Sequence, residues 1–404
     1  MVVFDVLMGS TAYHPSLSAA ASTPDMTAPF ELYVPQEVVE LIIGFAAVDG
    51  WALPSLCLVS RRFLFEAQRY LYQRVEIITP AYWDGRPFED IWKQDVKNGT
   101  RFLITLTQYN PSLASHTRYL SHRPEYEFRD RGYWDLINRS LRLMVNLKVL
   151  DFDTHDGCGI PRMRTLFWKC KFKLDEFYWR DGRFHDPKGD LAYFLSFQPQ
   201  LKRLTLNHCD DLPSHLCPRL EKFTGHRREI ECVLPGRSVT RLEWIATNHH
   251  WDRDRDKLFD NIAKELSQIV SLIYGGSHVQ RPSIRNVLPF LSSLEILHLI
   301  GYHDEWEFER LKALPKLRVL IWSPAYSSRP FLPLERQKGL IPPLFEMIKT
   351  LHCVYCHFRD IQHGLQNYFH WTSANDGPLV VDPPRYIYDW PRGYGWSWAL
   401  KTTP

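Results

Sequence analysis

LKRLTLNHC, from Leu201 to Cys209, sets leucines at its first, fourth and sixth positions and closes on Asn207 and Cys209. Anchors spaced in this way describe a short strand whose alternate side chains enter a core. The same rhythm recurs on either side. Upstream stand LKVLDF at Leu147 and LDEFYW at Leu174. Downstream come a degenerate LEKFTG at Leu220, VTRLEW at Val239, IVSLIY at Ile269, LEILHL at Leu294, LRVLIW at Leu317 and IKTLHCVYC at Ile348. Successive first anchors lie 19 to 31 residues apart, room for one strand and one return segment.

Several return segments carry helical spacing: 133–145 with Leu136, Ile137, Leu141 and Met144, then 190–197, then 257–269 with Leu258, Ile262 and Leu266. An earlier unit, 102–122, reads as helix, Pro-broken turn and strand. No unit of this size can bury its apolar face alone, so neighbours must stack. The expected fold class is α/β, a repeat array of parallel strands with helices outside. The copy at Leu201 resembles the leucine-rich-repeat signature, its final Cys included.

Upstream of the array, Val34 opens VPQEVVELIIGFAAVDGWALPSLCLVSRRFLFEAQRYLY. Pro35 suits a helix start, where its missing N–H has no partner to lose. From Val38 to Ala47 apolar residues leave almost no polar face, so the helix must be covered on more than one side. Ser60 can cap a third helix bearing Phe63, Ala67, Tyr70 and Leu71. About forty residues cannot bury all this surface unaided. A partner is required, inside the chain or outside it.

This stretch resembles the F-box, a helical module that docks a substrate receptor onto a ubiquitin ligase. Val34-Pro35 stands where that family has Leu-Pro. Leu58-Val59-Ser60-Arg61-Arg62-Phe63 stands where it has Leu-Val-Cys-Arg-Arg-Trp. The departures are Val34 for Leu, Phe63 for Trp, and Ala52-Leu53-Pro54 at the start of the second helix. The resemblance implies a three-helix module whose Val34, Pro35, Val38, Ile42, Ile43, Leu56, Val59 and Phe63 dock a Skp-type adaptor and, through it, a cullin. It also implies that the repeats hold an unknown protein substrate. An F-box followed by irregular leucine-rich repeats is a combination familiar in filamentous fungi.

The expected organisation is a disordered tail over 1–29, the F-box-like module over 30–74, the repeats over 75–374, and an aromatic, Pro- and Gly-rich cap or tail over 375–404. With 45% hydrophobic residues there is material for a large core, and no apolar run suggests a membrane span. The net charge of +3 is small for 404 residues and does not call for nucleic acid or an acidic membrane. Eight scattered cysteines read as reduced thiols rather than a disulfide framework. The first thirty residues lack Lys and Arg, unlike a secretory or mitochondrial leader. A cytoplasmic or nuclear protein is expected.

Cys353-Val-Tyr-Cys356-His357 spells a haem-attachment pattern, yet it coincides with the repeat frame, with Cys353 as third anchor. Zinc bound by Cys353, Cys356, His357 and His363 is the other reading of these residues. His208, Cys209, His215 and Cys217 form a second loose cluster. Both clusters read as repeat core, so no metal and no cofactor are expected. The basic and aromatic run 161–188 could stack single-stranded nucleic acid, but it alternates like a half-buried strand with Phe177 and Trp179 inward. No phosphate-binding, hydrolase or metalloprotease motif occurs, and nothing positive supports an enzyme.

Strand alternation gives one sharper expectation. Opposite the anchors, early repeats carry polar residues, among them Asp151, Asp153, Glu176, Arg180, Arg203 and Thr205. Later repeats carry Ile273, Ile296, Ile300, Val319, Ile321 and Val354, an apolar strip for a substrate segment or the aromatic tail.

Overall fold

The computed structural model describes residues 34–49, 52–78, 97–123, 131–154, 161–181, 189–209, 211–246, 259–275, 283–301, 306–323, 334–359, 366–373 and 377–381. The expected N-terminal tail, and the part of the expected C-terminal cap beyond 381, lie outside these residues. The chain divides into two compact units, Met1–Asp151 with Gly157–Lys173, and Phe152–Asp156 with Leu174–Pro404.

The first unit begins with three helices, Gln36–Asp49, Leu53–Leu56 and Arg61–Gln73. The last runs directly into β1 (Arg74–Ile78), which pairs in parallel with β2 (Tyr119–Arg123). Between the two strands come a helix over 97–104, a π-helical turn Thr105–Tyr109 and a 3-10 helix Pro111–His116. Pro111 sets that last break, as expected of a residue that cannot continue a helical hydrogen-bond ladder. Helix Arg131–Leu143 then leads to β3 (Val149–Thr154). His122, Tyr133 and Trp134 pack ring against ring, and His122 Nε2 lies 3.0 Å from the Tyr133 hydroxyl.

The second unit holds β4 (Glu176–Asp181), β5 (Arg203–Leu206), β6 (Lys222–Gly225), β7 (Arg241–Ile245) and β8 (Ser271–Gly275). It continues with β9 (Ile296–Ile300), β10 (Val319–Ser323), β11 (Cys353–Arg359), β12 (Gln366–Thr372) and β13 (Leu379–Val381). Strand order is chain order. From β4 to β11 the strands pair in parallel, and the anchors stand in register as a single row: Phe177, Leu204, Phe223, Leu242, Leu272, Leu297, Leu320 and Val354. All eight are buried.

One backbone device repeats from strand to strand. The first strand residue and the one before it both donate to a single carbonyl of the preceding repeat. Lys202 and Arg203 donate to Asp175 O, Glu221 and Lys222 to Lys202 O, and Thr240 and Arg241 to Glu221 O. The series continues through Thr240, Val270, Glu295 and Arg318, all at 2.8–3.3 Å. It pins the register of each repeat independently of side chains. Several return segments are short helices and 3-10 turns, as in the described part of 257–269, which forms Asp260–Ile262 and Ala263–Leu266; others are longer, such as the helix Leu334–Met347 before β11.

Two expectations need correction. Parallel pairing stops at β11, because β12 and β13 are antiparallel. Val354 is not on the strip opposite the core: it pairs with Leu320, which pairs with Leu297, and it is buried with them. Leu351, three residues after Ile348, is the true first anchor of that repeat.

Candidate functional site: the N-terminal helical surface

The first helix starts where Pro35 O accepts from Val38 N at 3.1 Å and Val39 N at 3.2 Å. Pro54 sits in the first turn of the second helix, where it breaks no hydrogen bond. Ser60 caps the third, its Oγ accepting from Phe63 N at 3.3 Å. Arg62 ties the first helix to the third by donating to Gln36 Oε1 and, at 2.6 Å, to Val34 O. Gln36 in turn donates to Glu66 Oε1 at 3.1 Å.

These ties enclose a core of Val39, Ile43, Leu53, Cys57 and Ala67. Val34, Leu56 and Phe63 lie against it, partly buried. Burial of Cys57 raises its thiol pKa, as befits an inert core residue.

The other side of the first helix stays bare. Val38, Leu41, Ile42, Phe45 and Val48 follow helical spacing, with Phe45 76% and Val48 82% exposed. Leu58, Val59 and Phe65 are also exposed. The adjacent isoleucines part company, since Ile42 is 41% exposed and Ile43 is 0%. Of the expected adaptor contacts, Pro35, Val38, Ile42 and Val59 therefore lie open, while Ile43 is a packing residue. Leu41, Phe45, Val48, Leu58 and Phe65, also exposed, lie outside the expected contact set. An all-apolar helix does not say which face a small core will claim, and the core at Leu53, Cys57 and Ala67 decides it.

The apolar strip of the later repeats is not a bare surface. Ile273, Ile296 and Val319 are half-buried, and Ile300 and Ile321 are buried. The same face carries a polar chain, with His298 Nε2 2.8 Å from Ser323 Oγ, which lies 3.4 Å from the Tyr368 hydroxyl. Early strands carry ion pairs, Arg123–Asp151 at 2.5 Å in the first unit and Arg180–Asp153 at 3.5 Å and Arg203–Glu176 at 3.4 Å in the second.

Cys353 and Cys356 lie three apart on β11 and so point to opposite faces, which prevents them from sharing an ion. His363 lies outside the described residues. Among the described residues no group of three or more His, Cys, Asp or Glu side chains could hold a metal. In the basic run, Phe167, Phe172, Phe177, Tyr178 and Trp179 are buried, so they cannot stack on bases; Trp168 alone of its described aromatics is exposed. Trp168 borders an open pocket of about 670 Å³ in the first unit with Trp134, Asp135, Arg142 and Arg164.

No family model matches the chain, and no curated protein matches it in sequence. Among solved structures it is similar to the crystal structure of an internalin (inlF) from Listeria monocytogenes str. 4b F2365. The TM-score is 0.31 at 10% identity, covering 80% of this chain and 84% of that one. Function therefore rests on this chain's own residues. No described helix is long and apolar enough to cross a membrane.

Proposed function

We propose that this chain is the substrate-recognition subunit of a ubiquitin ligase of the Skp-cullin-F-box type. In this reading the N-terminal helices dock a Skp-type adaptor and the repeats bind a protein target. The observation that carries it is the bare apolar face of the first helix, Val38, Leu41, Ile42, Phe45 and Val48, continued by Leu58 and Val59. A helical module that has built its own core and still presents such a face suits an interface buried on assembly. The resemblance of 34–63 to the F-box names the partner. A docked adaptor of this kind would bury roughly 1,200–2,000 Å² in total. The chain would contribute no catalytic group; the target would be modified because it is held close to a charged enzyme.

Co-purification with a Skp-type adaptor tests the reading, with Ile42→Asp and the double variant Pro35→Ala, Ile42→Asp as controls. Loss of the adaptor in the variants supports it. Failure of the unaltered chain to retain any Skp-type adaptor leaves a repeat scaffold outside the ligase, the alternative reading. Equal retention by all forms would place the contact elsewhere.

A further inference from the structure

Cys209 follows β5, and Cys232 lies on the helix Arg227–Val233 that follows β6. Their Sγ atoms are 2.9 Å apart. That is about 0.9 Å longer than the roughly 2.04 Å of a disulfide bond. Nothing in the sequence announces the pair, because 23 residues separate them.

Two neighbours hold the sulfurs there. Glu229 closes the first turn of the helix by accepting from His226 N at 3.1 Å, and it also accepts from the Cys209 backbone N–H. Cys209 is thereby fixed to the helix that carries Cys232 three residues further on. Arg237 is the second neighbour. Its side chain is buried and donates only to carbonyls: Nε to Leu216 O at 2.9 Å, Nη2 to Pro213 O at 2.6 Å and Nη1 to Val233 O. No carboxylate among the described residues pairs with it; the ionisable groups that act on its charge are Cys217, Cys232 and Cys209.

A buried guanidinium without an acid favours negative charge on the most accessible sulfur nearby. Cys232 is half-buried, whereas Cys209 and Cys217 are buried. The Cys232 thiol is held below its ordinary value, first by the hydrogen bond from Cys209, then by a backbone bond at Leu212 and by Arg237. Burial and Asp211 oppose this shift. Burial pushes the Cys217 thiol up to about 11 in spite of Arg237. The three thiols are therefore not equivalent: Cys232 is the least buried of them and the one whose thiolate its surroundings favour.

We propose that Cys209 and Cys232 are a redox-active dithiol that exchanges with a small disulfide such as glutathione disulfide. This stands apart from adaptor docking and needs none of its residues. The Cys232 thiolate attacks one sulfur of glutathione disulfide, breaking that S–S bond and releasing one glutathione. Cys209 then attacks the Cys232 sulfur of the mixed disulfide and expels the second glutathione. Two protein thiols are oxidised to one disulfide, one glutathione disulfide is reduced to two thiols, and the two cysteine protons end on the glutathiones. The new bond would staple the segment after β5 to the helix after β6, closing a loop around β6.

The full chain is equilibrated in glutathione buffers of stepped redox ratio, quenched in acid, alkylated and peptide-mapped by mass spectrometry. A Cys209–Cys232 linkage should appear as the first intramolecular disulfide. Cys209→Ser should halt at a glutathione adduct on Cys232, and Cys232→Ser should leave Cys209 alkylatable without an adduct. Both cysteines staying free throughout the series, or pairing elsewhere, would overturn the proposal. Should the serine variants fold poorly, the map of the unaltered chain decides alone.

Discussion

The backbone of Gly275 passes against Ile300 so closely that a Cβ on Gly275 would collide with the Ile300 carbonyl oxygen. Gly275 also holds φ at +139°, which side-chain-bearing residues rarely adopt, and its own carbonyl accepts from Ala246 N at 3.1 Å. Three successive repeats thus meet at one residue without a side chain. Gly275→Ala is expected to destabilise the fold by roughly 2–5 kcal/mol, the sum of strain and overpacking. Urea denaturation measures it; a change under about 0.5 kcal/mol would show that the repeats can part there.

Ile42 and Ile43 provide a paired test of the helical surface. Ile42→Asp adds a charge to an exposed position and should shift stability by no more than about 0.5 kcal/mol. Adaptor affinity should fall at least about tenfold, since the aspartate would be buried on docking. Ile43→Asp places the charge inside the core and should cost on the order of 3 kcal/mol or more. Circular dichroism with adaptor pull-down separates the two. Matching losses of fold in both variants would contradict the assigned faces.

Acid should weaken the fold through its buried histidines. Burial holds His122 and His298 neutral, down at about 3 from an ordinary 6.5, and His357 adds to the effect at His298. The unfolded chain takes up these protons first. Their contribution is complete above about pH 6.5 and is lost as pH falls from there towards 3. Glu229 runs the other way: burial raises it from 4.5 to about 7, so its contribution is present at low pH and lost as pH rises through 7. Each of the two histidines should contribute a loss on the order of 1–2 kcal/mol on going from pH 6.5 to 5, which Glu229 and Glu243 oppose. His298→Gln should flatten the urea-midpoint curve across that interval. An unchanged slope would mean that His298 titrates alike in both states.

Lys222 lies 3.9 Å from Glu243, which also accepts from Thr224 at 3.1 Å. Burial raises the Glu243 pKa, and Lys222 opposes the rise. Lys222→Met should cost about 3 kcal/mol near neutrality, because it leaves a buried carboxylate with less compensation. The loss should shrink in acid, where protonation of the folded Glu243 carboxyl, favoured by its burial, removes the charge that Lys222 compensates. Stability of the variant measured at pH 8 and pH 5 checks this, and a loss independent of pH would assign it to packing alone.

The strand frame was legible because LxxLxL spacing and two-residue alternation are both properties of sequence. So was the Ser60 cap, which needs only a hydroxyl before a helix. The last repeat was misframed because Ile348 and Leu351 are equally good anchors, and only the ladder from Leu297 through Leu320 to Val354 chooses between them. The reversal at β12 was illegible, since alternation does not encode direction. Cys209 and Cys232 were invisible as a pair because Glu229 and Arg237, not sequence distance, bring them together.

That reversal has a consequence for how molecules meet. A ladder of parallel strands ends in unsatisfied amides and carbonyls that can template the next chain. Here, among the described residues, the far margin is β13, only three residues long. A second copy aligning on so brief a strip gains few hydrogen bonds, and head-to-tail growth into fibres is thereby discouraged at that end.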